Sequence, residues 1–476
     1  MILSDDTCYS ALQARDSRFD GVFFTAVKTT SIYCRPVCPA RTPARRSCQF
    51  YSTASAAEAA GFRPCLRCRP ELAPGFRSTS LAEAILKRLQ ERAVEGSRLA
   101  ALDADLGLSS RQVRRLLKTE FGVSPVQVVQ TQRLLLAKQL LQETTQPISE
   151  IALASGFRSL RTFNTVFQQH YRMAPSACRK GTRQPVDSIR LRLAYRPPLA
   201  WEALMDYFRS RLVPGVEEIQ DHEYRRTVKI GHAEGWMRVW PEVATSALIV
   251  EVSPSLSRHL GSLQSRVRRM FDLDASPASI HEVLGDDPLL APTLSRFPGL
   301  RVGGTWDLFE LAVRAVLGQQ ITVAAATTLS GRLAERLGEP MSTPFAALHR
   351  HAITVEAMDR LSLDDLCRLG LVRARAETLR HLTTYALRGG LDFPVGLDHE
   401  AAVARLVQLP GIGPWTAHYI AMRGLRFPDA FPAADLGLRK AVGQGELAPA
   451  RVVEQRSQAW RPWRAYAAAA LWKSLT

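Results

Sequence analysis

The chain has 476 residues and a formal net charge of +17, and 46% of its residues are hydrophobic against 22% charged. With roughly 100–200 residues per domain, this length predicts three or four globular domains rather than one core. The N-terminus lacks the basic start and apolar core of a signal peptide, and no stretch approaches the roughly 20 apolar residues of a bilayer span, so we expect a cytoplasmic protein without a membrane partner.

The positive charge is concentrated in the N-terminal part of the chain. Residues 1–185 hold 27 Lys and Arg against 14 Asp and Glu, whereas residues 186–476 hold 35 against 31. Such a field attracts polyanions and speeds encounter with DNA. A merely basic surface is the alternative, so charge alone indicates a nucleic-acid partner without establishing it.

Changes in composition and periodicity divide the chain into four predicted units: residues 1–75, 76–185, 186–300 and 301–476. A Pro- and Gly-containing segment at 70–75 ends a cysteine-rich stretch, and a helical stretch then runs to a linker-like segment at 181–185. Alternation with period two begins at Ile189 and returns in parts of Tyr224–Trp240 and Ala247–Val252, and helical periodicity dominates from about residue 298. The predicted fold class is a multidomain protein, mainly α with α+β parts.

Cysteines dominate the first predicted unit, which holds six of the eight in the chain. Disulfides do not persist in a reducing cytosol, so such a cluster indicates metal binding or chemistry. Cys34 and Cys38 are separated by three residues, and Cys65 and Cys68 by two. Four thiolates at this spacing satisfy tetrahedral zinc, so the sequence predicts one zinc ion held by Cys34, Cys38, Cys65 and Cys68. From spacing alone, a purely structural zinc site remains open.

The residues around these cysteines narrow the choice. Residues 23–41, with Cys34-Arg35-Pro36-Val37-Cys38, and residues 60–68 resemble the Ada-type methylphosphotriester acceptor domain, and the resemblance covers residues 1–72. It implies a small zinc domain in which Cys34 accepts a methyl group from a methylated DNA phosphate. Four thiolates on a dication carry net charge −2, and methylation of one leaves −1. Weaker repulsion of DNA phosphates then predicts tighter DNA binding after methylation.

Two helix-turn-helix patterns follow in tandem, at Leu99–Gly122 and Ile148–Tyr171. In the first, Ser109 is placed to cap a helix that buries Val113, Leu116 and Leu117. A recognition helix reads the major groove with side chains near its N-terminus. The best-placed side chains are Arg111, Arg115, Arg161 and Asn164. Phosphate contact or plain solvation is the alternative for each arginine.

The second unit also resembles AraC-type regulators, over about 100 residues. The resemblance rests on residues 121–125 (Phe-Gly-Val-Ser-Pro), 151–157 (Ile-Ala-Leu-Ala-Ser-Gly-Phe) and 171–175 (Tyr-Arg-Met-Ala-Pro). It implies a tandem helix-turn-helix domain that binds specific promoter DNA, with RNA polymerase as a candidate further partner.

The C-terminal part contains a Gly-x-Gly hairpin at Leu409–Ala417 between two helical stretches. No strand precedes it, which makes a dinucleotide-binding fold a poor match. Together with residues 314–320, 431–440 and 460–466 and the β-rich lead from residue 189, the hairpin resembles AlkA-type helix-hairpin-helix glycosylases, which remove alkylated bases. The resemblance implies a β-rich α+β subdomain followed by an all-α glycosylase domain.

The same resemblance assigns the predicted site. It implies that backbone amides at Gly411 and Gly413 hold a DNA phosphate, that Gln319 and Gln320 meet DNA, and that Asp435 is the catalytic carboxylate. Breaking the glycosidic bond builds positive charge on the sugar, which a carboxylate stabilises while it orients water. Asp435 is also placed to cap a helix that begins at Leu436, and a cap without catalysis is the alternative.

Aromatic residues complete the predicted site. Trp415, Tyr419 and Trp472 should line the pocket for the flipped-out base, because electron-poor alkylated bases stack well on electron-rich rings; core packing is the alternative for each. Bifunctional relatives carry a Schiff-base lysine at the position of Trp415, and residues 409–421 contain no lysine, so we expect a monofunctional enzyme without a cofactor for base excision. Two departures, Gln320 in place of a leucine wedge and Leu436 in place of a tyrosine, leave the insertion mode and pocket breadth open.

The predicted function is DNA alkylation repair. A glycosylase excising bases such as 3-methyladenine and 7-methylguanine is fused to a methylation-responsive regulator, and the partner is double-stranded DNA carrying alkylated bases and methylphosphotriesters. One alternative is a regulator with a degenerate glycosylase part, against which Asp435, Trp415 and the hairpin argue. Another is a repair enzyme whose N-terminal half only targets it to DNA. The chain has no Pro-Cys-His-Arg motif, so we expect no guanine-O6 methyl transfer.

Overall fold

The computed structural model describes residues 3–75, 81–93, 108–179, 188–394 and 397–476. Within these residues, no helix combines the length and the apolar character that a bilayer span requires. The strands form one four-stranded and one five-stranded sheet. They are β1 (Phe24–Val27), β2 (Ile32–Cys34), β3 (Cys48–Tyr51), β4 (Arg63–Pro64), β5 (Ile189–Ala194), β6 (Glu217–Gln220), β7 (Glu223–Ile230), β8 (Ala233–Glu242) and β9 (Ala247–Val252).

The four-stranded sheet has the order β3-β1-β2-β4, and two helices, Asp5–Ala14 and Ala54–Ala59, accompany it. β1 pairs antiparallel with β2 and β3, whereas β2 and β4 run parallel. β2 ends at Cys34, and Cys65 directly follows β4. Because parallel strands end at the same edge of a sheet, this pairing brings the two cysteine pairs to one place.

The following helical unit is built around the long helix Pro125–Glu143, whose Leu135 packs against Phe24 and Tyr33 of the first sheet. Ser109 and Ser124 each form a capping box with the glutamine three residues on, which confirms the predicted helix start at Ser109. The helices of this unit are Leu81–Ala93, Ser110–Phe121, Pro125–Glu143, Ile148–Ala154, Leu160–Tyr171 and Pro175–Cys178. The beginning of the first predicted helix-turn-helix, residues 99–107, lies outside the described residues.

The five-stranded sheet is antiparallel throughout, with the order β5-β9-β8-β7-β6. Period-two alternation predicted β5 and β9, and Ala247–Val252 matches β9 at both ends. The helices Trp201–Arg209 and Leu260–Met270 pack on the sheet, and both lie outside the alternating segments. The sheet shares one apolar core with the second helix-turn-helix, since Phe163 and Phe167 belong to the same cluster as Leu191 and Val250.

The C-terminal part is helical, as the periodicity predicts. Two of its helices begin before residue 298, yet Ile280 and Leu284 belong to its core. The helices are Pro277–Leu284, Ala291–Arg296, Leu308–Leu317, Val323–Leu337, Val355–Asp359, Leu363–Arg368, Arg373–Leu387, His399–Val407, Pro414–Arg423, Leu436–Val442, Ala450–Ser457 and Arg464–Ser474.

Candidate functional site

The four cysteines predicted to bind zinc lie together at the edge of the first sheet. The Sγ atoms of Cys34, Cys38, Cys65 and Cys68 all lie within 4.8 Å of one another. In a regular tetrahedron with zinc–sulfur bonds of about 2.3 Å, the sulfurs stand about 3.8 Å apart, so the cluster fits the ion. Hydrogen bonding with the neighbouring thiols, Cys38 first, and burial raise the pKa of Cys34 well above its ordinary range. Four thiolates at this spacing would repel one another, and a bound cation would relieve that repulsion.

Cys34 differs from the other three ligands in its accessibility. It is half-buried, whereas Cys38, Cys65 and Cys68 are buried. The backbone N–H of Arg35 donates to Sγ of Cys68 at 3.3 Å, and its guanidinium binds the carboxylate of Asp20. Among the four cysteines, Cys34 is therefore the one whose thiol is most accessible from solution.

The helical unit, residues 81–179, holds the cysteine-rich unit, residues 3–75, through buried polar contacts. The ammonium of Lys138, on the long helix, donates to the carbonyl oxygen of Cys65 at 3.0 Å and to Oε2 of Glu71 at 2.6 Å, and the side chains of Lys138 and Glu71 are at most 1% exposed. Glu58 accepts hydrogen bonds from Tyr33, beside Cys34, and from Thr131 of the long helix. These contacts fix the cysteine cluster relative to the helices.

The residues predicted to read DNA lie on the exposed faces of two helices, and each of these helices buries two apolar residues four positions apart. Arg111 and Arg115 are exposed on the helix Ser110–Phe121, which buries Val113 and Leu117. In the second pattern, Arg161 and Asn164 are exposed on the helix Leu160–Tyr171, while Phe163 and Phe167 are buried. Both helices thus leave free the side chains that a recognition helix presents to a groove.

The Gly-x-Gly hairpin lies between the helices His399–Val407 and Pro414–Arg423. Gly411 has φ +84°, and a Cβ there would lie 1.8 Å from Oγ1 of Thr378, so no other residue fits. Gly413 precedes the second helix and is open to solvent. Gln319, which the sequence predicts to meet DNA, is half-buried and donates from Nε2 to the carbonyl oxygen of Gly411 at 2.9 Å and to Oγ1 of Thr416 at 3.0 Å. Its amide supports the hairpin, while the neighbouring Gln320 is exposed with φ +57°.

Asp435 caps the helix Leu436–Val442, as predicted, by accepting from the backbone N–H of Leu438 at 3.0 Å. It also accepts hydrogen bonds from two indoles, Trp415 Nε1 at 2.9 Å and Trp472 Nε1 at 2.8 Å. These three donors orient the half-buried carboxylate from different sides. The structure therefore brings Asp435 together with two of the three predicted pocket residues.

The third predicted pocket residue, Tyr419, stacks on Trp415 with ring centroids 5.5 Å apart and an interplanar angle of 18°. Trp415 and Trp472 are half-buried, whereas Tyr419 is buried. The hydroxyl of Tyr419 is hydrogen-bonded to the hydroxyl of Tyr207, which lies on the helix Trp201–Arg209. The wall of aromatic rings thus begins at Asp435 and extends inward.

Arginines lie at the inner end of this wall. The guanidinium of Arg423 lies 4.0 Å from the ring centroid of Tyr207 and 5.2 Å from those of Tyr419 and Trp472, and Arg211 lies 4.3 Å from Tyr207. Burial alone raises the pKa of Tyr419, but Arg423 and Arg211 outweigh it and lower that pKa to about 8. The inner part of the site therefore carries a positive potential.

Sequence reasoning missed Tyr207, Arg211 and Arg423. The first two belong to the α+β subdomain, about 200 residues before the hairpin, and no local pattern points to them. Arg423 did carry a signal, since Trp415, Tyr419 and Arg423 recur at a spacing of four and share one helix face.

Comparison with known proteins gives four family matches along the chain. They are the metal binding domain of Ada (residues 7–71), a helix-turn-helix domain (102–181), the AlkA N-terminal domain (190–307) and the HhH-GPD superfamily of base excision DNA repair proteins (313–464). Their order matches the units predicted from the sequence.

Individual proteins match whole units of the chain. DNA-3-methyladenine glycosylase 2 of Escherichia coli K12 is 32% identical over 59% of this chain and 95% of its own length. The solved structure of 3-methyladenine DNA-glycosylase from Archaeoglobus fulgidus matches with a TM-score of 0.52 at 23% identity, over 59% of this chain and 96% of that one, which shows the shared fold.

One relative spans all four units. A protein of Mycobacterium tuberculosis (strain CDC 1551 / Oshkosh), described as a probable bifunctional transcriptional activator/DNA repair enzyme AlkA, is 38% identical over 99% of this chain and 96% of its own length. The chain therefore belongs to the family of bifunctional transcriptional activator/DNA repair enzymes of the AlkA type, in which an alkylation-repair glycosylase is fused to Ada-like regulatory domains.

Proposed function

We propose that the C-terminal part is a monofunctional glycosylase that hydrolyses the N-glycosidic bond of alkylated purines such as 3-methyladenine and 7-methylguanine, with Asp435 as its catalytic carboxylate. The observation that carries this proposal is the convergence of the Trp415 and Trp472 N–H groups on Asp435. A helix cap needs the bond to Leu438 alone. The indole bonds add nothing to capping, but they place the carboxylate at the mouth of an aromatic wall.

In the proposed reaction, the flipped-out base stacks on the aromatic wall and the sugar lies beside Asp435. As the bond to the base breaks, the sugar gains positive charge, which the carboxylate stabilises. The same carboxylate orients a water molecule, which attacks the sugar carbon and passes its proton to the carboxylate. Trp415 has no amine that could form a Schiff base, so the reaction ends at the abasic site without strand cleavage.

The hairpin supplies the grip on DNA. Gly411 and Gly413 leave the backbone bare before the helix Pro414–Arg423, so its first N–H groups can hold a phosphate. The side-chain amide of Gln319 stabilises the loop by donating a hydrogen bond to the carbonyl oxygen of Gly411. The exposed Gln320 occupies the tip of the adjacent turn, where a side chain can enter the duplex and fill the space that the flipped base leaves.

For the N-terminal half we propose a stoichiometric methyl acceptor that controls a DNA-binding unit. One zinc ion, held by Cys34, Cys38, Cys65 and Cys68, would keep the thiolates ionised at neutral pH. Sγ of Cys34 bonds to the methyl carbon of a methylphosphotriester while the methyl–oxygen bond breaks, which leaves a thioether and a phosphodiester anion. The exposed Arg111, Arg115, Arg161 and Asn164 then bind specific promoter DNA. For the whole chain we propose four domains, at residues 1–75, 76–185, 186–300 and 301–476.

One experiment tests both halves. The full chain is incubated with randomly methylated duplex DNA, released bases are separated by chromatography, and the protein is mapped by peptide mass. We expect free 3-methyladenine and 7-methylguanine, one methyl group per chain on Cys34, and no covalent adduct after borohydride reduction. Failure to release either base contradicts the glycosylase, trapping contradicts monofunctional chemistry, and a methyl on Cys38, Cys65 or Cys68 moves the acceptor.

A second measurement distinguishes a regulator from a repair enzyme that is merely delivered to DNA. Binding to the DNA upstream of its own gene is compared before and after methylation of the protein. A regulator gains on the order of tenfold in affinity, and the gain weakens with added salt, because one unit of negative charge is removed near a phosphate. Equal affinities for promoter and unrelated DNA in both states favour delivery alone.

A further inference from the structure

The residues of the helix Pro414–Arg423 that face the proposed base pocket form a line with opposite charges at its ends. Trp415, Tyr419 and Arg423 recur every four residues, so they lie on one face of the helix and span about 12 Å along its axis. Asp435 accepts a hydrogen bond from Trp415 at the outer end, and the guanidinium of Arg423 lies beyond Tyr419 at the inner end. The aromatic wall thus lies between a carboxylate and a cation.

The charge of Arg423 is not neutralised by a neighbouring acid. The residue is 3% exposed, and its Nη1 donates to the carbonyl oxygen of Gly303 at 2.7 Å. Its Nε is buried without a hydrogen-bond partner, and among the described residues no carboxylate oxygen lies within 4.0 Å of its guanidinium nitrogens. A buried cation normally has a carboxylate partner, because an uncompensated charge is costly in the protein interior. Here aromatic faces take the place of that partner.

We propose that Arg423 promotes departure of the base by holding a positive charge behind it. This rests on the proposed function, in which the base stacks on Trp415 and Tyr419 and the sugar lies at Asp435. Arg423 does not touch the reacting atoms. It acts through the electric field along the pocket, so it is a positioning residue for charge and not a catalytic residue.

The charge balance of the reaction gives the direction of the effect. When the bond between sugar and base breaks, its electron pair goes to the base. A cationic alkylated base then becomes neutral, while the sugar gains positive charge. Negative charge moves toward Arg423 and positive charge moves toward Asp435. Both ends of the field therefore favour the transition state over the bound substrate, and the field is in place before the reaction begins.

This mechanism predicts an unusual kinetic change when the charge of Arg423 is removed. Before the reaction Arg423 repels a bound cationic base, and this repulsion disappears as the base becomes neutral. Without the charge, the substrate binds more tightly and reacts more slowly, so KM and kcat fall together. A unit charge about 7 Å away, at an effective dielectric of about 20, changes either constant by roughly fiftyfold before screening, and we expect on the order of tenfold.

The test uses the full chain and a duplex containing 7-methylguanine. For Arg423→Gln we expect kcat and KM each to fall on the order of tenfold, with kcat/KM unchanged within a few-fold. For Arg423→Lys, which keeps the charge, both constants should stay near those of the wild type. A fall in kcat with an unchanged or higher KM in Arg423→Gln indicates a structural role and overturns the proposal. So does an Arg423→Lys variant that behaves like Arg423→Gln.

A second pair of variants keeps the buried arginine in place and covers the case in which Arg423→Gln does not fold. The ring of Tyr207 lies 4.0 Å from the Arg423 guanidinium. Tyr207→Glu places a carboxylate there, and Tyr207→Gln is its uncharged match. We expect lower kcat and KM in the Glu variant than in the Gln variant, and equal constants overturn the proposal. Activity surviving in Asp435→Asn instead contradicts the proposed function itself, whatever Arg423 does.

Discussion

Replacement of Asp435 by asparagine should abolish most base release while DNA binding stays nearly intact. A carboxylate about 4 Å from the developing charge on the sugar is worth about 4 kcal/mol at an effective dielectric of about 20. Its loss corresponds to about a thousandfold in rate. The carbonyl of asparagine can still accept from Leu438 and Trp472, which both donate to Oδ1, but its amide then faces the indole N–H of Trp415. Losing that bond adds about 1 kcal/mol of local destabilisation.

The assay is single-turnover release of 3-methyladenine and 7-methylguanine from methylated duplex, together with DNA binding and thermal unfolding of the same preparation. A matched control is available on a neighbouring helix. Asp398 caps the helix His399–Val407 by accepting from Ala401 N–H at 2.7 Å. Asp398→Asn should leave base release unchanged, because asparagine is an equally good cap. Release by Asp435→Asn within a few-fold of the wild type would refute the assignment, and a loss equal to that of Asp398→Asn would reduce Asp435 to a cap.

Three further outcomes are expected. Cys38→Ser, or treatment of the wild type with a chelator, should release zinc and unfold the first unit, which metal analysis and circular dichroism detect. Lys138→Met leaves the buried carboxylate of Glu71 without the Lys138 ammonium and should lower the free energy of unfolding by roughly 3 kcal/mol. Removing one partner of a buried ion pair typically costs about 3–5 kcal/mol, and the lower end applies because Glu71 still contacts Arg69. An unchanged melting temperature contradicts this. The pKa of Tyr419 near 8 lies below the ordinary value of about 10, so tyrosinate absorbance should rise between about pH 7 and 9 in the folded protein and be absent in Tyr419→Phe.

Local signals in the sequence predicted the elements that local physics determines. Ser109 and Asp435 cap their helices because a short acceptor side chain satisfies free N–H groups wherever a helix begins. In the strand Ile189–Ala194, burial alternates over the first five residues because one face of the strand meets the sheet core. The cysteine cluster followed from ligand spacing, since two cysteines with two or three residues between them can reach one ion.

Contacts between distant segments could not be predicted in this way. Tyr207 and Arg211 enter the site from a different subdomain, and Gln319 is bound to Gly411, 92 residues further along the chain. Helical periodicity marked the helix that ends at Leu317, but it gave no direction for the side chain of Gln319 in the turn that follows. The same limit applies to the indole bonds to Asp435, because the resemblance placed Trp415 and Trp472 near a base and gave no reason for their N–H groups to point at a carboxylate.

The contacts between units bear on how the two halves of the chain can act. Arg196, buried in the α+β subdomain, donates to the carbonyl oxygens of Asp20 and Gly75, each at 2.7 Å, and Asp20 in turn binds Arg35 beside Cys34. The second helix-turn-helix and the five-stranded sheet share one apolar core, so a cut near residue 185 would expose Phe167 and Leu191 to water. The boundary between the two family matches, near residue 185, therefore does not coincide with a boundary between two hydrophobic cores. Separation of the N-terminal half from the glycosylase part would therefore have to break these buried contacts first.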